Sequence, residues 1–313
     1  MTYDAEFERH YAHSLGDCPL PETAADAYEL LECLRQSREK AAWLVRDRQS
    51  GGRCMLKIAY GGQRRFLRAE WDCLTALKDD KSGCFPQPLR YEREEGCSWL
   101  ARSWEEGQSL AALVDEQGFL SEEQTVGYGM ALCDALNALH AHGYICRDVK
   151  PENIVVTPSR RVMLIDCDAA RRYDSQKARD TVFVVSYETA APEQYGFSQS
   201  DVRTDIYAAG RTLIYMACGS YHSSKLDSLR VSRRLKRILR RAASPQPERR
   251  YPSAEALKAA LQGCRSRRVR SWITAAALLV AVLAAGAAAV LWRAAPPAGA
   301  PVTPVSANGN ARE

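Results

Sequence analysis

The stretch that most constrains the fold of this chain is a pair of short β-rich runs joined by a turn. The runs cover residues 154–156 and 162–165, and the Thr-Pro-Ser-Arg-Arg segment at residues 157–161 has the composition of a turn. This pattern predicts a β-hairpin. Polar side chains suited to phosphate chemistry flank both ends of the hairpin, namely Asp148, Lys150, Asn153 and Asp166. Such residues on loops beside a rigid scaffold indicate a functional site.

The residues around the hairpin resemble the sequence motifs of protein kinases. Arg-Asp-Val-Lys-Pro-Glu-Asn at residues 147–153 resembles their catalytic loop, and Asp-Cys-Asp at residues 166–168 occupies the place of their metal-binding Asp-Phe-Gly. Ala-Pro-Glu at residues 191–193 matches a third motif. Residues 205–210 resemble the helix that follows it, and residues 247–253 resemble the segment whose arginine pairs with its glutamate. Because these motifs occur in the right order, chance is a poor explanation.

The resemblance implies an α+β, two-lobed protein-kinase-like fold with a small β-rich N-lobe and a larger helical C-lobe. A chain of 313 residues is long enough for one such domain with appendages. We expect a lead-in at residues 1–27 and a kinase domain at residues 28–263, with the N-lobe at about 28–107 and the C-lobe at about 108–263. The resemblance also implies structural roles for Glu193, Asp205 and Arg250.

In the predicted N-lobe, residues 41–46 and 53–60 have the pattern of a hairpin that turns at residues 49–52. Lys57 on its second strand is placed like the lysine of the family's Val-Ala-Ile-Lys motif. In the family this lysine binds phosphate groups of ATP.

The segment that follows has the apolar spacing of a helix over residues 66–77. Glu70 lies on this helix at the spacing of the family's glutamate that pairs with the strand lysine, here Lys57. Residues 99–108 then resemble the edge strand and hinge that hold adenine. This alignment places Arg102 at the bulky position that guards the back of the nucleotide pocket.

The glycines of the family's phosphate-binding loop are missing from this chain. Arg35, Ser37 and Lys40 stand where glycines would let the backbone close over phosphate groups. Two interpretations remain open. Arg35, Arg38 or Lys40 contacts phosphate through its charge, or these residues are solvated surface charges.

Through the resemblance, the matching residues acquire roles in phosphoryl transfer with ATP and Mg²⁺ as cofactors. Asp148 would orient the substrate hydroxyl and accept its proton, and Lys150 would neutralise the moving phosphoryl group. Asn153 and Asp166 would hold Mg²⁺, and Lys57 with its glutamate partner would hold the α- and β-phosphates. Lys150 followed by Pro-Glu-Asn resembles the serine/threonine class of kinases.

Three replacements fall within these motifs. Cys146 stands where the family usually has histidine and Cys167 where it has phenylalanine, which predicts a smaller, matched contact between reduced thiols rather than a disulfide. The chain's 11 cysteines include no Cys-x-x-Cys pair, which is typical of reduced thiols in a cytosolic compartment. Asp168 replaces a glycine, and aspartate tolerates left-handed backbone. Its carboxylate either assists Mg²⁺ binding or faces solvent.

The polar segment after Asp166 resembles a kinase activation loop. Thr181 lies centrally in it, and we predict that Thr181 is autophosphorylated, with Arg147 as the type of residue that receives the phosphate. Ser186 aligns with the threonine that contacts the catalytic aspartate in the family. The alternative for Thr181 and Ser186 is that each is an ordinary loop hydroxyl.

Basic charge is concentrated just before a long apolar segment. Residues 225–270 contain 15 Lys and Arg against three acidic residues, whereas the whole chain carries a net charge of +5. Residues 272–292 form a run of 21 residues without a charge, which at ~1.5 Å per residue spans roughly 30 Å, enough for a transmembrane helix. The basic juxtamembrane segment at residues 264–271 predicts a single-pass cell-membrane protein with a cytoplasmic kinase domain. Residues 293–313 would form a disordered extracytoplasmic tail.

Two functions remain open. The first is a membrane-anchored serine/threonine kinase in signalling, which the catalytic residues favour. The second is a pseudokinase that acts as a membrane-tethered binding scaffold, which the glycine-free loop favours. The expected partners are ATP, proteins with Ser or Thr, and the lipid bilayer, with a second copy of the chain as a further candidate for autophosphorylation. We expect no nucleic acid, because anionic lipid accounts for the basic charge.

Overall fold

The computed structural model describes residues 20–174, 186–196, 199–229, 231–264 and 284–286. By its internal contacts the chain divides into two compact units, Met1–Arg265 and Ser266–Glu313. All the elements given below belong to the first unit. Within the described ranges, every helix is too short or too polar to cross a bilayer. Several predicted features lie outside the described residues, namely Thr181, all but three residues of the span 272–292, residues 265–271, and the tail 293–313.

The first part of the fold is a five-stranded antiparallel sheet with the strand order β1-β2-β3-β5-β4. The strands are β1 (Tyr28–Gln36), β2 (Lys40–Asp47), β3 (Arg53–Tyr60), β4 (Pro88–Arg93) and β5 (Cys97–Ser103). The predicted hairpin is confirmed, because β2 pairs with β3 and places Lys57 opposite Ala42. The prediction of an edge strand over residues 99–108 is wrong, since β5 lies between β3 and β4. Its first six residues are all buried, as in a strand covered on both faces.

Two helices pack with this sheet. The helix α1 (Glu22–Ala27) buries Ala24 in the same apolar cluster as Tyr28 and Trp99, so the end of the predicted lead-in at residues 1–27 belongs to the N-terminal core. The helix α2 (Arg64–Leu77) turns a stripe of buried residues inward at Leu67, Glu70, Cys73, Leu74 and Leu77. This spacing of three and four residues is what an amphipathic helix needs to cover one face. Glu70 is therefore carried into the interior among apolar neighbours.

The second part is mainly helical. Its helices are α3 (Leu110–Gln117), α4 (Glu122–Ala141), α5 (Val202–Cys218), α6 (Arg233–Ala242) and α7 over residues 254–264. A capping box opens α4, where the Ser121 side chain accepts from the Gln124 amide and the Gln124 side chain accepts from the Ser121 amide. The buried faces of these helices form one apolar cluster.

Short strands support the loops between the two parts. The predicted hairpin is present as β8 (Ile154–Val156) and β9 (Val162–Leu164), with β6 (Gln108–Ser109) on its outer side. A second pair joins β7 (Tyr144–Ile145) to β10 (Arg171–Arg172). Paired strands therefore fix the ends from which the loop between β7 and β8 and the loop after β9 begin.

Helices α5 and α6 approach each other closely at Gly210. A Cβ atom at this position would lie 2.8 Å from the Cβ of Ala242 and 2.8 Å from the main-chain nitrogen of Ala243. Only glycine allows this approach without a shift of α6. The amphipathic helix α6 buries Leu235, Ile238, Leu239 and Ala242 against the rest of the helical part.

Candidate active site

Asp205 fixes the loop between β7 and β8 by hydrogen bonds to its main chain. This residue lies fully buried in the first turns of α5. Its carboxylate accepts hydrogen bonds from the main-chain amides of Cys146 and Arg147, at 2.9 and 2.8 Å, and lies 2.7 Å from Nε2 of His140. Arg147 has a φ of 68°, which is uncommon for a residue with a side chain. The two amide bonds fix this left-handed turn and hence the direction of the residues that follow.

Asp148 is the point where four of the predicted residues meet. Lys150 Nζ lies 2.7 Å from the Asp148 carboxylate, and Asn153 Nδ2 donates to the same carboxylate oxygen at 3.0 Å. The Ser186 hydroxyl donates to the other Asp148 oxygen and accepts from Lys150 at 3.1 Å. Asp148 is nearly buried, so these donors replace most of its water shell. A carboxylate oriented in this way is suited to accept a proton from a hydroxyl group.

Lys57 links the sheet, α2 and the loop after β9. Its ammonium group lies 2.7 Å from Glu70 and 2.9 Å from Asp166, and the Glu70 side chain is fully buried. Burial opposes the charged form of Lys57, but the two carboxylates outweigh it and raise the pKa of Lys57. Burial also raises the pKa of Asp166, but Lys57 overcomes this effect and brings the pKa of Asp166 down to about 2. Lys57 is therefore protonated and Asp166 ionised at neutral pH.

Glu70 has a second cationic neighbour that the sequence did not predict. Arg102 on β5 is 2% exposed, and its Nε lies 3.4 Å from the Glu70 carboxylate. A terminal nitrogen of Arg102 also donates to the Ser103 carbonyl at 3.2 Å. Burial raises the pKa of Glu70, while Lys57 and Arg102 lower it. An arginine directly after the apolar run at residues 99–101 was the available signal, because a buried guanidinium needs a buried acid nearby.

Asp166 and Asn153 are the residues that would hold a metal ion. Asp166 supplies an ionised carboxylate, and Asn153 uses its amide nitrogen on Asp148, which leaves its amide oxygen as the metal-binding atom. Among the described residues there is no group of three or more His, Cys, Asp or Glu side chains that would hold a metal by itself. Two oxygen ligands fit Mg²⁺, which commonly takes its remaining ligands from water and phosphate groups.

A cavity of about 220 Å³ lies between β2, β3, α2 and the loop after β9. The charged side chains that line it are Arg35, Lys40, Lys57, Glu70, Asp166 and Asp168. Lys40, one of the residues at a missing glycine, extends across the cavity and lies 3.1 Å from Asp168. The extra carboxylate in the Asp-Cys-Asp motif thus has a defined partner on β2.

The turn from β1 to β2 uses its own main-chain groups. The Ser37 amide donates to the Lys40 carbonyl at 2.8 Å, and the Lys40 amide donates to the Ser37 hydroxyl at 3.1 Å. Two amides at the place of the phosphate-binding loop are therefore already bonded within the turn. These two amides are therefore not free to bind a phosphate group.

The replaced motif positions Cys146 and Cys167 are both buried. The ten cysteines in the described part of the chain are all free thiols, which confirms the prediction that these two do not form a disulfide. Burial raises the pKa of the Cys146 thiol, and a hydrogen bond with Cys73 together with burial raises the pKa of the Cys167 thiol. These thiols are small packing groups in the core.

Glu193 and Arg250 form a buried pair beneath the site. The two terminal nitrogens of Arg250 lie 2.6 and 2.9 Å from the two oxygens of Glu193. The neighbouring Gln194 donates to the Arg147 carbonyl at 2.8 Å, which ties this pair to the loop between β7 and β8. Sequence analysis predicted the pair through the resemblance but missed Gln194 and His140, whose residue types alone carry no signal for these contacts.

The predicted site residues thus fall into three groups in space. Asp148, Lys150, Asn153 and Ser186 form one network, Lys57, Glu70 and Asp166 form a second, and Glu193, Asp205, Arg250 and Arg147 support the loop. Thr181 lies outside the described residues, so its autophosphorylation stays a prediction.

Comparisons with known proteins agree with this arrangement. The sequence model of the protein kinase domain matches residues 91–281. The chain is 30% identical over 209 residues to a serine/threonine-protein kinase of Myxococcus xanthus, covering 57% of this chain and 38% of that protein. It is 27% identical over 268 residues to the serine/threonine-protein kinase PknA of a Nostoc species, covering 75% of this chain and 47% of that protein. The chain spans less than half the length of these relatives. The family match covers more than half of the chain, which therefore belongs to the protein kinase family.

Proposed function

We propose that this chain is a serine/threonine protein kinase that transfers the γ-phosphate of ATP to hydroxyl groups of proteins. The observation that carries the proposal is the network around Asp148, in which Lys150, Asn153 and Ser186 all contact one nearly buried carboxylate. A carboxylate fixed by three side chains has the geometry of a general base. Structural roles alone would not require Lys150 to reach both Asp148 and Ser186.

The side chains divide the work of phosphoryl transfer. Asp148 accepts the proton of the substrate hydroxyl, and a positioned general base contributes about 10²–10⁴-fold to a rate. Lys150 places a positive charge beside Asp148, where negative charge develops on the phosphoryl group. Lys57 is kept protonated by two carboxylates and offers its charge to phosphate oxygens. Mg²⁺, held by Asp166 and Asn153, would supply charge neutralisation on the phosphates when bound.

The serine/threonine class is supported by two features. Lys150 lies two residues after Asp148 and contacts both Asp148 and Ser186, and a lysine at this position resembles the serine/threonine class rather than the tyrosine class. The relatives described above are also named as serine/threonine-protein kinases. We expect the protein substrates to be modified on Ser or Thr.

The experiment is transfer of labelled γ-phosphate to a peptide library that contains Ser, Thr and Tyr, followed by identification of the phosphorylated residue. Asp148→Asn is expected to lower the rate at least 100-fold, because it removes the base. Asp79→Asn, which changes an exposed carboxylate just after α2, is the matched control and is expected to keep the wild-type rate. Label on tyrosine alone, or equal rates for wild type and Asp148→Asn, would overturn the proposal.

A second candidate function has its own structural support. The Ser37 and Lys40 amides are bonded within their turn, so two main-chain donors are lost for phosphate at the place where the family has its glycine-rich loop. In a pseudokinase that acts as a binding scaffold, this loss would leave nucleotide binding weak and transfer absent. Nucleotide binding without any transfer in the experiment above would favour this scaffold over the enzyme.

We further propose that the chain is anchored in the cell membrane and signals from its cytoplasmic side. The proposal is supported by the sequence, through the 21 uncharged residues at 272–292 and the basic residues just before them. Carbonate extraction of membranes from cells that express the full chain tests it. Leu279→Arg/Leu283→Arg is expected to move the protein to the soluble fraction, because each arginine costs about 2.5–3.5 kcal/mol at the centre of a span. An unchanged distribution, or wild-type protein in the soluble fraction, would contradict anchoring.

Autophosphorylation of Thr181 by a second copy of the chain also belongs to the proposal. Mass spectrometry of the chain after incubation with ATP tests it. Phosphate is expected on Thr181 in the wild type and not in Asp148→Asn. A wild-type enzyme that phosphorylates peptides while Thr181 stays unmodified would rule this modification out.

A further inference from the structure

Lys40 is placed differently from an ordinary surface lysine. It begins β2 at the wall of the cavity, with its ammonium group 3.1 Å from Asp168 and 5.1 Å from the centre of the Phe66 ring. The side chain is thus directed inward between α2 and the loop after β9. Arg38, in the same turn, is exposed and does not line the cavity. The two basic residues of one turn therefore have different surroundings.

The cavity contains two lysines held with different strength. Lys57 is bonded to Glu70 and Asp166 with 15% of its side chain exposed, whereas the Lys40 side chain is 43% exposed and its partner Asp168 is 25% exposed. An ion pair with this much exposure contributes little to stability, because water solvates both charges. Lys40 is therefore able to exchange its partner at small cost, while Lys57 is fixed.

Asp168 lies two residues after Asp166, and both carboxylates line this cavity. Lys57 contacts Asp166, and Lys40 contacts Asp168. Lys40 thus compensates the second of two adjacent acids in the cavity. A ligand with several negative oxygens competes with Asp168 for the same ammonium group.

The missing main-chain cradle points to the identity of that ligand. The amides of Ser37 and Lys40 are bonded within their turn, so a polyphosphate in this cavity gains no hydrogen bond from these two amides. Arg35 and Lys40 both line the cavity beside this turn, and Lys40 is the one whose ammonium group contacts Asp168 across it. An ammonium group on a flexible stem binds phosphate as a point charge.

We propose that Lys40 binds a phosphate group of the nucleotide in place of the missing glycine amides, and that Asp168 holds Lys40 at the cavity until the nucleotide enters. The inference rests on the proposed function, since it takes ATP as the ligand of this cavity. Asp168 is then a competitor of phosphate for Lys40. It is not a metal ligand.

The test is the affinity of the full chain for MgATP and for adenosine, measured by calorimetry. Lys40→Ala is expected to weaken MgATP binding by about 10- to 100-fold, the range of a hydrogen bond to a charged group, and to leave adenosine binding unchanged. Lys40→Arg keeps a cation and is expected to retain most of the affinity. Arg38→Ala removes a cation from the same turn and is the matched control, with wild-type affinity expected. Unchanged MgATP affinity in Lys40→Ala would overturn the proposal.

Asp168→Asn separates a competitor from a metal ligand. If Asp168 competes for Lys40, the variant tightens MgATP binding severalfold in the wild-type background and has no effect in the Lys40→Ala background. Weaker MgATP binding in Asp168→Asn, or the same change in both backgrounds, would refute the competition. Because the measurement is of binding, a chain that binds MgATP through Lys40 but transfers no phosphate would refute only the proposed function. A wild-type chain that binds no MgATP would refute both.

Discussion

Truncation of Arg250 to alanine is expected to destabilise the helical part of the fold strongly. The Arg250 side chain is fully buried, and its two terminal nitrogens contact both oxygens of Glu193 at 2.6 and 2.9 Å. The same guanidinium also donates to three main-chain carbonyl groups at 2.7 to 2.9 Å, those of Ser244, Pro245 and Arg203. All the described contacts of this side chain are thus with partners that lose water when the protein folds.

The expected loss of unfolding free energy in Arg250→Ala depends on the Glu193 carboxylate, which the truncation leaves without its cationic partner. Without Arg250, Glu193, which is 6% exposed in the intact protein, keeps the Thr204 hydroxyl at 2.9 Å as its remaining described side-chain donor. Removal of one member of a buried ion pair costs about 3–5 kcal/mol, because the other charge is left uncompensated. This is a large part of the 5–15 kcal/mol that typically separates folded and unfolded states. Arg250→Lys keeps the charge but not the paired geometry, so we expect a smaller loss.

The assay is urea unfolding followed by circular dichroism for Arg250→Ala, Glu193→Ala and the double variant. The double variant leaves no unpaired charge, so its loss of unfolding free energy is expected to be smaller than the sum of the single losses by about 2 kcal/mol or more. A loss below about 1 kcal/mol for Arg250→Ala would refute the reasoning. Additive losses in the double variant would refute it as well.

Three further predictions concern the site and the core. Ser186→Ala is expected to lower the phosphoryl-transfer rate about tenfold at saturating ATP, because Asp148 loses a donor worth about 1.5 kcal/mol. Ser186→Thr keeps the hydroxyl and is expected to keep the rate. Equal rates for the wild type and both variants would contradict the role of Ser186 as a donor to Asp148. The pKa of Asp166 is about 2 in the folded chain, below the unfolded value of about 3.9. As the pH falls, the Asp166 carboxylate is therefore protonated in the unfolded chain before it is protonated in the folded chain. Between pH 6 and pH 3 the wild type is expected to lose ~1 kcal/mol more unfolding free energy than Asp166→Asn. Parallel pH profiles of the two proteins in urea titrations would exclude this contribution of Asp166. Gly210→Ala is expected to lower the unfolding free energy by about 1–3 kcal/mol, because the added methyl group overlaps with the end of α6. Gly127→Ala lies on the exposed face of α4 with nothing within 4 Å and is expected to raise the unfolding free energy by up to about 1 kcal/mol. Thermal unfolding of both variants checks which one is more stable.

The network around Asp148 was predictable because its members are close in sequence or belong to a recognisable motif. Asp148, Lys150 and Asn153 lie within six residues, so the turn that carries them fixes their mutual distances. Asp205 and Ser186 are far away in sequence, and only the resemblance to a family indicated their places. The start of α4 is likewise readable from local sequence, since a capping box satisfies its first amides without help from the rest of the fold.

The contacts that sequence analysis missed depend on how distant elements pack. Lys40 and Asp168 are 128 residues apart, and no spacing rule connects them. The place of β5 in the sheet was also missed, because the order of strands depends on which faces are covered rather than on chain order. Once β5 is central, Arg102 is necessarily buried and has to find an acid, which is Glu70 on the neighbouring helix.

Single-turnover transfer of the γ-phosphate of ATP to a serine peptide, with ATP affinity measured alongside, tests most directly whether Asp148 acts as a base in a working kinase. The wild type is expected to transfer phosphate, and Asp148→Asn is expected to transfer it at least 100-fold more slowly while its ATP affinity stays within about twofold. Two results would contradict the role of Asp148 as the base of a working kinase. The first is a wild-type chain that binds ATP and transfers no phosphate, and the second is Asp148→Asn that transfers phosphate at the wild-type rate.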